Sequence, residues 1–207
     1  MSLFLLFWLG QSVAGHRQYN DEQRDHRQPQ VSYSTYLTSH HFWEATAENW
    51  ESEFLQMFSY VFLTAFLFQK GSAESKDPNE PEAVDRDPRA RRDNPDAPWP
   101  VRRGGLILKL YENSLALAFF VFFIGSVLAH AVAGAAEYNE EQAEHAGLEM
   151  VTTWQYLGTS RFWFESFQNW QSEFLAIAAM VLFSIYLRQR GSPESKPVDS
   201  PHDETGT

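Results

Sequence analysis

Apolar residues gather along this chain in runs that alternate with charged, polar and proline-rich stretches. The longest run, Ser114 to Ala136, carries no charge apart from a protonated His130. A helix rises ~1.5 Å per residue, so this stretch can cross a ~30 Å hydrocarbon core. Phe54 to Phe68 and Phe174 to Leu187 are shorter. Extending them back to Trp50 and Trp170 gives spans of sufficient length, each with a glutamate, Glu53 or Glu173, near one end. The run from Ser2 to Gly15 is shorter still, because about 14 residues reach only ~21 Å.

The runs belong to two matched halves. Phe42-Trp43 recurs as Phe162-Trp163. Asn49-Trp50-Glu51-Ser52-Glu53-Phe54-Leu55 recurs as Asn169-Trp170-Gln171-Ser172-Glu173-Phe174-Leu175. Gly71-Ser72-Ala73-Glu74-Ser75-Lys76 recurs as Gly191-Ser192-Pro193-Glu194-Ser195-Lys196, at the same offset of 120. Upstream, at offset 119, Tyr19-Asn20-Asp21-Glu22-Gln23 and His26 match Tyr138-Asn139-Glu140-Glu141-Gln142 and His145. The pattern predicts an all-α integral membrane four-helix bundle made of two tandem transmembrane hairpins. Residues 1–70 form the first hairpin and 106–190 the second.

In this alignment Met1 falls on Phe120, which leaves the first copy without a counterpart of Tyr111 to Phe119. The first span is therefore expected to be truncated at its N-terminus. A signal peptide cleaved after Ser12-Val13-Ala14-Gly15 is the rival reading. The absence of a basic leading region and the internal recurrence of Val-Ala-Gly at 132–134 favour a span.

Charge sets the orientation. The connection 70–112 and the C-terminal tail hold most of the Lys and Arg, and the segments 16–48 and 137–168 hold few. The positive-inside rule then puts both termini and the middle linker in the cytoplasm, in a cytoplasmic membrane. Residues 71–105 combine prolines and mixed charge with few aliphatic side chains and read as a disordered linker, as does the tail 191–207. In the outer segments Tyr19, Glu22, Gln23 and His26 share one helical face, and Tyr138, Glu141, Gln142 and His145 repeat it. These predict outer helical extensions, each followed by an interfacial aromatic helix at the Phe-Trp pairs.

Bulk composition adds exclusions. A mean hydropathy of -0.40 looks soluble only because linkers and spans are averaged together. The absence of Cys excludes disulfides and thiolate chemistry. A net charge of -11 argues against nucleic acid as a partner, since phosphate binding needs a basic face. The partner implied is the lipid bilayer, and a homo-oligomer is compatible with it.

At the doubled Asn-Trp-x-Ser-Glu-Phe-Leu, Tyr-Asn-[Asp/Glu]-Glu-Gln and Gln-[Lys/Arg]-Gly-Ser-x-Glu-Ser-Lys motifs, the chain resembles a family of uncharacterised bacterial integral membrane proteins, a domain of unknown function. The resemblance covers nearly the whole chain. It implies a bacterial multipass protein and supports a missing N-terminal stretch, and it carries no activity or ligand.

The candidate polar residues follow from position. Asn49 with Glu53 and Asn169 with Glu173 sit where the shorter spans begin, either as hydrated anchors or as parts of a pathway. Gln11 and His130 occupy matched places inside spans, where such residues ordinarily hydrogen-bond between helices. Glu22 with His26 and Glu141 with His145 form i, i+4 pairs that a two-fold axis could gather into a divalent-metal set, although a solvated helix face explains them as well. No catalytic constellation and no cofactor motif is present, so an enzyme is not expected. The first functional expectation is a non-enzymatic scaffold, sensor or partner-binding protein. The alternative is a small-solute or ion pathway along the pseudo-two-fold axis using Glu53 and Glu173.

Overall fold

The computed structural model describes residues 2–77, 82–144 and 150–206, without the side chain of Glu144. Among these residues every regular element is helical. The long helices are α1 (Ser2–Asp25), α3 (His40–Thr64), α6 (Ser114–Glu144) and α8 (Ser160–Tyr186). Short helices lie between them: α2 (Tyr33–Tyr36), α4 (Trp99–Arg103), α5 (Gly105–Glu112) and α7 (Thr153–Tyr156). Compact packing divides the chain into one unit of Met1–Ser52 and Ile124–Asn169 and a second of Glu53–Phe123 and Trp170–Thr207.

Only α6, among the described residues, is long and apolar enough to cross a membrane. Just 17% of its apolar window is buried, so its Leu, Val and Phe side chains face outward and not into a core. That exposure separates it from the core helix of a water-soluble protein, which buries its apolar surface.

The aromatic stretches predicted as separate interfacial helices are the first turns of α3 and α8. Residues 41–63 and 161–185 contain neither Gly nor Pro, so nothing breaks either helix. The free-standing short helices are the single turns α2 and α7. Ser32 caps the first by accepting a hydrogen bond from Thr35 N, and Thr152 caps the second in a capping box with Gln155.

The recurrent motifs each build a local structure in the first unit. Asn20 closes the connection after α1 by exchanging two hydrogen bonds with the Val31 backbone, at 2.8 and 3.0 Å. Asn139 does the same to Val151 after α6, both at 2.8 Å. Trp43 Nε1 donates to Leu37 O at 3.1 Å and Trp163 Nε1 to Leu157 O at 2.9 Å, which fixes α2 on α3 and α7 on α8. The repeated glycines let tyrosines approach. A Cβ on Gly15 would collide with the Tyr36 hydroxyl, and one on Gly134 would lie 2.6 Å from the Tyr156 ring. Tyr156 is fully buried there with Phe162, Ala131 and Ala135.

In the second unit the Gly-Ser-x-Glu-Ser-Lys motifs are turns. Gly71 and Gly191 both have φ +84°, a region that favours glycine. Ser75 Oγ accepts from Gln69 N, and Ser195 Oγ from Gln189 N. The lysine of the second motif, Lys196, is buried because carbonyls of Pro201, His202 and Glu204 accept from its Nζ. Residues 82–105, which composition alone reads as disordered, carry short helical turns. Their prolines take first-turn positions, where no amide donor is needed, and Lys76 pairs with Asp85 at 2.5 Å.

The glycine contact gives a direct test. Gly134→Val should lower the thermal midpoint of detergent-solubilised protein, by the ~1–3 kcal/mol typical of overpacking. Gly125→Ala, where a Cβ meets nothing within 4 Å, should leave it unchanged or raise it. Equal midpoints for Gly134→Val and wild type would refute the close packing of α6 on Tyr156.

A buried carboxylate–histidine–arginine network

The chemistry of the first unit concentrates on His130. Its side chain is fully buried in α6 under the Phe162 ring, with centroids 4.7 Å apart. Nδ1 lies 2.9 Å from Glu51 Oε2, and Nε2 lies 3.3 Å from Glu165 Oε2. Glu51 is itself fully buried on α3. An ionised carboxylate in such a place needs a partner, and the imidazole supplies it.

Around this pair stand Glu44 from α3, Tyr156 from α7 and Arg161 from α8. Tyr156 Oη lies 2.9 Å from Glu165 Oε2 and 3.1 Å from Glu44 Oε1. Arg161 Nε donates to Glu165 Oε1 at 2.9 Å, and its NH1 to Glu141 Oε2 at 2.5 Å. A third guanidinium nitrogen is 4.0 Å from Glu44 Oε1. The guanidinium also lies over the Tyr138 ring. The donor atoms of Glu44, His130 and Glu165 all fall within 4.8 Å of one another.

The hydroxyl of Tyr156 has one proton and two carboxylate neighbours, so it cannot donate to both. The conflict disappears if Glu44 is neutral and donates to Tyr156, which donates to Glu165.

The predicted site residues fall in different places. His130 is at the centre of the network, and Glu141 is at its rim through Arg161. Gln11 is half-buried in α1. Glu22 accepts from Gln18 on the exposed side of α1, and His26 lies just past that helix. His145 lies outside the described residues. Among the described residues the converging donor set is Glu44, His130 and Glu165. Asn49 bonds back to Ala45 O rather than to Glu53, and Asn169 donates to Glu48 Oε1 at 2.6 Å. Glu53 is exposed and Glu173 half-buried. Neither lines the cavity of about 400 Å³ in the second unit, whose walls are mainly Leu63, Leu67, Phe68, Phe174, Ile177 and Val181.

Glu44, Glu51, Arg161 and Glu165 escape a search for recurring residues because none recurs. Their matched positions hold Phe164, Gln171, His41 and Ala45, and His130 is matched by Gln11. The signal was divergence at positions flanked by near-identity.

No curated protein and no solved structure matches the chain at a significant level. A family model does match, over residues 1–207, and the chain belongs to that family, described as Domain of unknown function (DUF6766).

Proposed function

We propose that this chain is a duplicated, multipass membrane protein that works without catalysis, as a sensor or binding protein, and that its working part is the network around His130. The exposed apolar side chains of α1, α3 and α8, such as Leu6, Phe7, Phe62, Leu63, Leu175 and Phe183, support their crossing the bilayer beside α6. With both termini cytoplasmic, the network sits toward the outer face, below the exposed aromatic residues Trp154, Trp163 and Phe164, which suit headgroups.

One observation carries the functional reading. The two halves share the asparagine clamp, the tryptophan-to-leucine bond and the glycine–tyrosine contact, yet Glu44, Glu51, His130, Arg161 and Glu165 are matched by Phe164, Gln171, Gln11, His41 and Ala45. The same framework thus stands around Gln11, Tyr36, His41 and Ala45, none of which is a carboxylate. A buried charge network that the framework does not need is expensive to keep. That expense favours a functional role for it. Glu53 and Glu173 have no comparable support as a solute pathway.

The test gives each charged position the residue found at its match in the other half. A variant carrying Glu44→Phe, Glu51→Gln, His130→Gln, Arg161→His and Glu165→Ala should insert and unfold within about 5 °C of wild type. It should fail to restore a deletion strain across a panel of pH and cation stresses. Collapse of the variant would make the network structural. Full complementation would make it dispensable.

Orientation is tested separately, and the absence of native cysteine makes labelling clean. Asn20→Cys and Glu140→Cys should react with an impermeant maleimide from outside, and Ala90→Cys and Ser200→Cys only after permeabilisation. Labelling of position 90 in intact cells would overturn the topology.

A further inference from the structure

We infer that Glu44, His130 and Glu165 form a binding site for a divalent transition-metal cation, an inference that rests on the sensor reading above and names its ligand class. The donor set is two carboxylate oxygens and one imidazole nitrogen, which suits Zn²⁺, Mn²⁺ or Fe²⁺ more than the all-oxygen shells of Ca²⁺ or Mg²⁺. Three protein ligands leave a coordination position open to water or to a transient partner.

The geometry is close to what such an ion needs. With metal–ligand distances of ~2.1 Å, neighbouring donors in a tetrahedron are about 3.4 Å apart. The His130 Nε2 to Glu165 Oε2 separation is 3.3 Å, already one edge of that figure. The complete set spans no more than 4.8 Å, so rotation of the Glu44 side chain about its own bonds closes the rest.

The surroundings carry the argument further. A metal-binding histidine usually donates its other ring N–H to a carboxylate, which fixes the tautomer and raises the basicity of the ligating nitrogen. Glu51 does this for His130 at 2.9 Å, and both groups are fully buried. Arg161 and Tyr156 fix the orientation of the Glu165 carboxylate. Arg161 takes Oε1, Tyr156 takes one lone pair of Oε2 and leaves its second for the ion, and Glu141 engages the other side of the guanidinium. Even with His130 protonated, Glu51, Glu141 and Glu165 outnumber Arg161 and His130, so the network keeps negative charge for a cation to neutralise. Next to Glu165 along α8, the Ser166 hydroxyl is 1% exposed and has no hydrogen-bond partner among the described residues. The matched positions Gln11, Ala45 and Phe164 offer no such set.

The experiment uses full-length protein in lipid nanodiscs, stripped with chelator and titrated with Zn²⁺ or Mn²⁺ alone. Calorimetry and elemental analysis should give about one ion per chain. His130→Gln and Glu165→Gln should each weaken binding at least tenfold. Glu51→Gln, which touches no metal, should weaken it ~10–100-fold without changing the stoichiometry. Glu53→Gln and Glu173→Gln should bind as wild type does. If a variant at His130 fails to fold, Glu44→Gln replaces it, and the readout is the metal-induced rise in thermal midpoint, present in wild type and absent in the variant. No saturable binding to wild type, or undiminished binding to the His130→Gln and Glu165→Gln variants, would overturn the site. A metal-free wild type whose transplanted variant still loses complementation would sink the metal and leave the sensor reading standing.

Discussion

An imidazole–carboxylate contact with no access to water is the constraint around which the first unit is arranged. Glu51 and His130 are both fully buried, and each would be costly alone. Removing one member of a buried pair leaves the other unpaired, at a typical cost of ~3–5 kcal/mol. The pairing therefore fixes α6 against α3 in register. The second nitrogen of the ring extends the same demand to Glu165 on α8, and Glu165 passes it to Tyr156 and Arg161. One histidine thus organises four helical elements, and its position under Phe162 keeps solvent from relaxing the arrangement.

The framework that holds this network is made of uncharged contacts. Gly134 is the only residue type that admits the Tyr156 ring so close to α6, because any side chain would meet it at 2.6 Å. The asparagine clamp on Val151 returns the chain from α6 to α7 at a fixed distance, and Thr152 then caps α7. These features place the Tyr156 hydroxyl between Glu44 and Glu165. The same contacts recur around Tyr36, whose hydroxyl finds His41 Nδ1 at 3.4 Å instead of a pair of carboxylates. Shape is common to both places, and charge belongs to one.

This division explains what could be read from the sequence. Repeated motifs announced the elements: the long helices and their extensions past Gly15 and Gly134 follow from periodicity and recurrence, whereas the turns at Gly71 and Gly191 fall in stretches that composition alone reads as disordered. The single-turn helices α2 and α7 were hidden, since four residues carry no periodicity. The charged network was hidden for a different reason. Recurrence selects residues that shape the backbone, such as Asn20 and Asn139 or Trp43 and Trp163. Glu44, Glu51, Arg161 and Glu165 meet only in three dimensions and have no counterpart in the other half. Only His130 stood out, as an ionisable residue inside an apolar run. Glu53 and Glu173, which recurrence favoured, point to exposed or half-buried surroundings instead.

A sealed network would be inert, but this one is graded from dry to wet. His130 and Glu51 are fully buried, whereas the side chain of Glu165 is 20% exposed, Arg161 30% and Glu141 49%. The gradient follows one path, from the imidazole through Glu165 and the guanidinium to water. Arg161 covers the Glu165 carboxylate while holding a solvent-facing partner, and an exposed ion pair of this kind is worth only ~0–1 kcal/mol. The cover is therefore the weak link of the chain of contacts, and the buried pair is the strong one. A cation arriving from the Glu141 side competes first with a contact that is cheap to open. It then reaches oxygens and a nitrogen already oriented by contacts that are not.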